Sequence, residues 1–170
     1  MTKTIHFGVR NTALGPILVA ASDKGVCSVR FGLDEAQLCA HFPEAELVRG
    51  GSGVAALFDL VANAVDHPGA GDDVPLDIEG TDFQKRVWAE LRRIPIGETR
   101  SYGELAAALG APGASRAVGS ANGANKIAVL IPCHRVLQAD GSIGGYAYGP
   151  DIKRELLRRE GALDVAPTLL

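Results

Sequence analysis

Cys133 and His134 stand side by side in IPCHRV, residues 131–136, at the end of the apolar run KIAVLI. A thiol attacks as its thiolate, and partial burial at the end of that run disfavours the charged form. Chemistry at Cys133 therefore needs a base, and His134 is the obvious candidate. Neighbours in an extended chain point to opposite sides, so a bent backbone or an intervening water must bring ring and sulfur to one proton. Pro132 fixes its own φ and keeps Ile131 out of helical geometry, which favours a bend. Glu160 is the candidate third member. Ile152, Leu156 and Glu160 recur every four residues in the last helical stretch, so the carboxylate shares a face that should be buried and needs a partner there. Cysteine, histidine and acid together suit a nucleophile whose base is held in one tautomer. Two plainer readings remain: a structural cysteine beside a satisfied histidine, and a Glu160 that ends its stripe in solvent because Gly161 follows at once.

The elements that must position these groups are legible in the pattern. TIHFGVR, ILVAA and VCSVRF, separated by NTALGP and SDKG, read as strands of hairpins. Asp34 to Phe42 reads as a short helix, and Val54 to Asp66 as a second with Leu57, Val61 and Val65 every four residues. VPLDI, after a turn-rich GAGDD, alternates as a strand. Composition changes near Gly80, which places a domain boundary there. Thr81 and Gln84 have capping-box spacing ahead of the stripe Phe83, Val87 and Leu91 with Trp88 beside it, and Pro95 and Gly97 end that helix. Ser101 and Glu104 repeat the capping box for a helix that runs to Leu109 and stops at Gly110. Pro112 can start the next, through Ser115, Arg116 and Val118 to about Asn122. Two short helices across a glycine-containing turn have helix-turn-helix character. The second is lean: Ala114, Ser115, Ala117, Gly119, Ser120, Ala121 and Gly123 are small, and Arg116 is its only long side chain. Such a helix permits close approach, either by a neighbouring helix or by another molecule.

Composition bounds the class. The 170 residues are 46% hydrophobic, and mean hydropathy is slightly positive, as in folded rather than disordered chains. No apolar stretch approaches the roughly 20 residues of a membrane span, and MTKTIHFGVR lacks the apolar segment of a signal peptide. The expected setting is cytoplasmic, with no membrane partner. Three cysteines without CxxC spacing, Cys27, Cys39 and Cys133, argue against a disulfide scaffold. Cys27 lies in a strand and reads as core. Cys39, His41 and His6 match no common zinc spacing. Net charge is −3, but residues 1–80 carry five basic and eleven acidic side chains, whereas 81–135 carry eight basic and four acidic. A locally basic centre permits a polyanionic partner, and a solvated helix face accounts for Arg92 and Arg93 equally well.

PCHRV with Asn125 before it, GETRSYGELA and RAVGSAN upstream, and RREG downstream closely resemble the O6-alkylguanine-DNA alkyltransferases, densely over about 80–163 and more loosely through ALGPILVAASDKGVCSVRF. The bacterial type, equivalent to the methyltransferase half of the Ada adaptive-response protein, is the nearest in kind. The resemblance implies an α+β fold. Residues 1–79 would form a small α/β domain with an antiparallel, ribonuclease H-like sheet, and 80–170 a mostly helical domain with the helix-turn-helix. It implies direct-reversal repair, in which Cys133 takes the alkyl group from O6-methylguanine, and from O4-methylthymine, irreversibly and once. His134 would act through a water, Glu160 would orient it, Tyr102 would hydrogen-bond the departing base and Asn125 would brace the turn. Carbonyls of Cys133 and Val136 and backbone N–H groups around Tyr146 and Ala147 would read the guanine, beside Tyr148. The base must leave the duplex to be reached. The lean helix, with Ser115, Ala117, Ser120 and Ala121, would lie in the minor groove, Arg116 would fill the vacated stack, and Arg135 would join the DNA contacts. The implied partner is double-stranded DNA bearing O6-alkylguanine, bound by a monomer without cofactor.

Four positions depart from some relatives. Ser22 and Cys27 stand near two places where some bind zinc, so no metal is expected. Ala147 replaces a serine but keeps its backbone donor, and Tyr148 replaces a glycine and should narrow the pocket toward methyl. Two rivals carry other outcomes: a cysteine hydrolase using Cys133, His134 and Glu160 would turn over, and a DNA-binding damage sensor would bind without transfer.

Overall fold

Tight turns close the first hairpins in the computed structural model, which describes residues 3–162. Strands β1 (Thr4–Thr12), β2 (Gly15–Ser22) and β3 (Gly25–Phe31) pair antiparallel in sequence order. Alternation sorts their side chains: Ile5 and Phe7 join Leu18, Ala20 and Cys27 on one face, as a two-residue period requires. Helix α1 (Glu35–His41), capped by Asp34, covers that face with Leu38 and Phe42. The opposite face receives α2 (Ala55–Asp66). There Gly8 makes room for the Phe58 ring, which a Cβ would meet at 3.0 Å. Phe58, absent from the every-fourth-residue stripe, is buried, whereas Leu57 is only half-buried.

A fourth strand, β4 (Glu46–Arg49), pairs parallel with β1, giving the order β3-β2-β1-β4 and a mixed rather than wholly antiparallel sheet. The intervening α1 supplies the crossover that a parallel pair needs. VPLDI does not form a strand. It meets β3 only at a bridge between Val26 and Leu76, because Pro75 has no N–H to continue a ladder. Cys27 is 2% exposed, and burial pushes its thiol up to about 12, so it is core. His6 is engaged with the Gly50 carbonyl at 2.7 Å, and Cys39 is exposed.

The described chain divides into two compact units, one of residues up to Glu79 with Lys126–Leu130, the other of Gly80–Asn125 and the residues from Ile131. Nothing in the pattern signals the five-residue excursion. Lys126–Leu130 leaves the helical unit to run beside β3, where Val29 N–H donates to Lys126 O (2.9 Å) and Ala128 N–H to Val29 O (3.2 Å).

The helical unit follows its punctuation closely. Helix α3 (Asp82–Arg92) and helix α4 (Tyr102–Ala108) each open on a complete capping box, Thr81/Gln84 and Ser101/Glu104. The two-residue β5 (Arg100–Ser101) precedes α4, and Gly110 at φ +75 turns the chain after it. Helix α5 (Ser115–Gly123) begins later than Pro112 suggests. Pro112 sits inside a turn closed by Ala114 N–H donating to Ala111 O at 2.9 Å. A 3₁₀ turn over Cys133–Arg135, the short β6 (Val136–Leu137) beside β5, and α6 (Pro150–Arg159) complete the unit.

Candidate active site

Cys133 sits on a turn inside a turn. Its N–H donates to Ile131 O at 2.8 Å across Pro132, whose φ −81 and ψ 65 are those of an inverse γ-turn. Arg135 N–H then donates to Pro132 O at 3.0 Å, winding the 3₁₀ turn. The bent backbone, rather than an extended one, carries Cys133 and His134. Asn125 braces it, its side-chain amide donating to Ile131 O at 2.9 Å.

His134 is 0% exposed. Its Nε2 lies 2.8 Å from Glu160 Oε2, and the Glu160 carboxylate is only 4% exposed. The face shared with Leu156 therefore does bury the carboxylate. Burial alone would raise its pKa, but the hydrogen bonds and charges of His134 and Arg135 prevail and hold it at about 2. For His134, burial is the largest influence and lowers the pKa despite Glu160. The neutral ring donates its Nε2 proton to Glu160, which leaves the Nδ1 lone pair available. Nδ1 is buried with no protein partner among the described residues, so it is the ring atom able to take a proton.

Arg135 does not face outward to meet DNA. Its guanidinium grips Glu160, with Nε to Oε1 at 2.9 Å and an Nη to Oε2 at 3.0 Å, and its other Nη donates to Ile94 O at 2.7 Å. The fork fits a carboxylate in two parallel bonds, a better-satisfied arrangement than an exposed contact. Arg135 thus locks the acid that holds the base.

The Cys133 thiol opens on a cavity of about 360 Å³. Tyr102, Gly119 and Asn122 line it, together with Gly145, Tyr146, Ala147 and Tyr148. Burial raises the thiol pKa, with Asn125 and Lys153 working against it. The Tyr146 and Tyr148 rings meet edge to face, with centroids 5.5 Å apart. The Tyr102 hydroxyl faces Asn122, and burial raises its pKa more than that bond lowers it. Asn122 itself is 8% exposed, and its amide donates to Cys133 O at 3.4 Å. Its inward place was readable, since it shares a face with the buried Val118 at i+4. Val136 does not line this cavity. It is fully buried, and its carbonyl accepts from Lys153 Nζ at 2.7 Å.

Helix α5 divides its small residues between two faces. Ser115, Arg116, Ala117 and Ser120 are exposed. Ala121 is not: it is 3% exposed, and its carbonyl accepts from the Trp88 indole at 2.8 Å. It packs against α3 and cannot touch an outside molecule. Arg116 makes no hydrogen bond or ion pair among the described residues. One side of the lean helix thus packs against a neighbouring helix, and the other is exposed.

Known proteins resemble this chain over most of its length. Residues 82–162 match the family described as 6-O-methylguanine DNA methyltransferase, DNA binding domain. A methylated-DNA–protein-cysteine methyltransferase of Methanosarcina acetivorans is 41% identical over 164 residues, 93% of this chain and 99% of that protein. The bifunctional transcriptional activator/DNA repair enzyme Ada of Escherichia coli is 42% identical over 92% of this chain, which spans only 45% of its length. The crystal structure of Mycobacterium tuberculosis OGT in complex with DNA superposes with a TM-score of 0.76 at 40% identity, covering 92% of this chain and 93% of that one.

Proposed function

The chain belongs to the 6-O-methylguanine DNA methyltransferase family, and from that premise we propose that it repairs O6-alkylguanine in duplex DNA by moving the alkyl group onto Cys133, once per molecule. One observation carries the reading: a buried thiol at the floor of a cavity, beside a neutral histidine whose Nδ1 is unpartnered and whose Nε2 is fixed by a carboxylate. The thiol proton passes through a water to His134 Nδ1, and Glu160 stabilises the imidazolium that results. Sulfur then attacks the alkyl carbon in line. The S–C bond forms, the C–O6 bond breaks, and its electron pair returns to the guanine. The anion accepts a hydrogen bond from Tyr102 and takes a proton from solvent water, while the imidazolium returns one to solvent. The product thioether is neutral and a poor leaving group, so the site is spent.

A cavity of about 360 Å³ accepts one base but no duplex, so the base must be flipped at a cost of a few kcal/mol. The exposed face of α5, with Ser115, Ala117 and Ser120, is lean enough for the minor groove, and Arg116 is free to occupy the gap. Cys133, Tyr146 and Ala147 line the cavity, and their backbone groups would read the guanine edge. O4-methylthymine, with the same alkyl–oxygen–carbon arrangement on a smaller ring, is a second substrate. The protein acts as a monomer without cofactor.

Incubation with duplex containing O6-methylguanine, followed by intact mass, tests this. One added methyl group per chain, lost in Cys133→Ser, is expected. Continued turnover would point to a hydrolase, and tight binding at unchanged mass to a sensor.

A further inference from the structure

Lys153 is a lysine where the helix pattern expects an apolar residue. It is 0% exposed, on the buried side of α6 with Leu156 and Leu157. A buried ammonium is costly unless paired, yet no carboxylate pairs with it among the described residues. Its Nζ donates instead to two carbonyls, Val136 O at 2.7 Å and Gly145 O at 3.2 Å. Val136 directly follows the Cys133–Arg135 turn, and Gly145 begins the Gly145–Tyr148 wall of the cavity. One side chain therefore ties the strand that follows the nucleophile's turn to the Gly145–Tyr148 segment that lines its pocket.

We infer that Lys153 is a positioning residue for alkyl transfer: it sets the spacing between the Cys133 turn and the tyrosine segment, and brings a positive charge close to the nucleophile. The assignment rests on the alkyl-transfer reading. A hydrophobic residue would fill this space at lower cost, so the charge itself needs a reason. Burial is the largest influence on Lys153 and disfavours its ammonium, and the one group that opposes this is the Cys133 thiolate. Reciprocally, burial disfavours the thiolate, and Lys153 is among the groups that offset it. Cys133 is also faced by Tyr102 from α4, by Asn125 after α5, by Tyr146 from the wall, and by His134 with Glu160 and Arg135 behind it. Of these only Lys153 is a cation with no anion of its own.

Iodoacetamide tests the charge, because it alkylates a thiolate without any guanine recognition. In Lys153→Met, which keeps length and loses charge, carbamidomethylation of Cys133 at pH 8 should slow about tenfold and its pH profile move up by about one unit. Lys153→Arg should restore the profile. Transfer from duplex O6-methylguanine should fall further in Lys153→Met, because the wall is also released. An unmoved profile in a folded Lys153→Met protein overturns the inference. A profile that moves, in a wild-type protein that never takes methyl from duplex, sustains the coupling and overturns the transfer reading instead. Should Lys153→Met not fold, the Nζ resonance of Lys153 in wild-type protein labelled with ¹⁵N-lysine should inflect as Cys133 ionises, and a flat trace overturns the coupling.

Discussion

Replacing Glu160 by Gln removes one charge from a cluster with almost no solvent, and the cost can be worked through. The carboxyl sits at about 2 in the folded protein against 4.5 when unperturbed, a depression of about 2.5 units. Burial opposes ionisation there, so the depression is the surplus left by His134 and Arg135 after that cost is met. At about 1.4 kcal/mol per unit it corresponds to roughly 3 kcal/mol. A depressed carboxyl stabilises above its unfolded pKa and loses that contribution as pH falls through the folded value. The contribution should therefore be complete at pH 7 and shrink to about 1 kcal/mol at pH 3. Urea unfolding of wild type and Glu160→Gln at both pH values checks this, since the other carboxylates cancel in the difference. A loss below about 1 kcal/mol at pH 7, or an equal loss at both pH values, would refute the idea that the carboxylate is held by these two partners. Alkyl transfer should slow as well, because Nε2 of His134 then has no anion to stabilise its charged form.

Further outcomes follow from other residues. Arg116→Ala should slow repair of duplex far more than reaction with free O6-methylguanine, measured as single-turnover rates; equal losses would remove Arg116 from a flipping role. Tyr148→Gly should raise the benzyl-to-methyl rate ratio, since the ring stands in the cavity wall against Tyr146 at 5.5 Å; an unchanged ratio would mean that it does not limit alkyl size. Val129 is a β-branched residue at φ 69, in a three-residue turn closed by Leu130 N–H donating to Ala128 O at 2.8 Å. Relief of that strain in Val129→Gly should stabilise the fold by about 1 kcal/mol in thermal or urea unfolding; a clear destabilisation would show that the side chain's packing outweighs its backbone.

What the sequence reveals depends on how far each residue's partner lies along the chain. Both capping boxes and the stop at Gly110 are local, and they stand where their spacing puts them. Glu160 was half legible: helical period points it at the buried face, but Gly161 next to it left a solvent-facing end of the stripe equally open. β4 was not, because a parallel strand takes its identity from a partner some forty residues away. Arg135 and Lys153 were misread or passed over for a related reason. A long cationic side chain can reach in several directions, and only the folded chain shows that one grips Glu160 and the other spans Val136 and Gly145. Ala121 illustrates a subtler limit: small residues mark a helix built for close approach without saying which side approaches what.

The excursion of Lys126–Leu130 makes truncation a poor way to isolate the chemistry. A fragment starting at Gly80 would contain every group of the cavity, yet the five residues leading to Ile131 and Pro132 would have lost β3, their hydrogen-bonding partner. The turn that aims Cys133 would then be anchored on one side only. Among the described residues the N-terminal sheet lines no part of the cavity, yet its β3 fixes by hydrogen bonds the segment that leads into the nucleophile's turn.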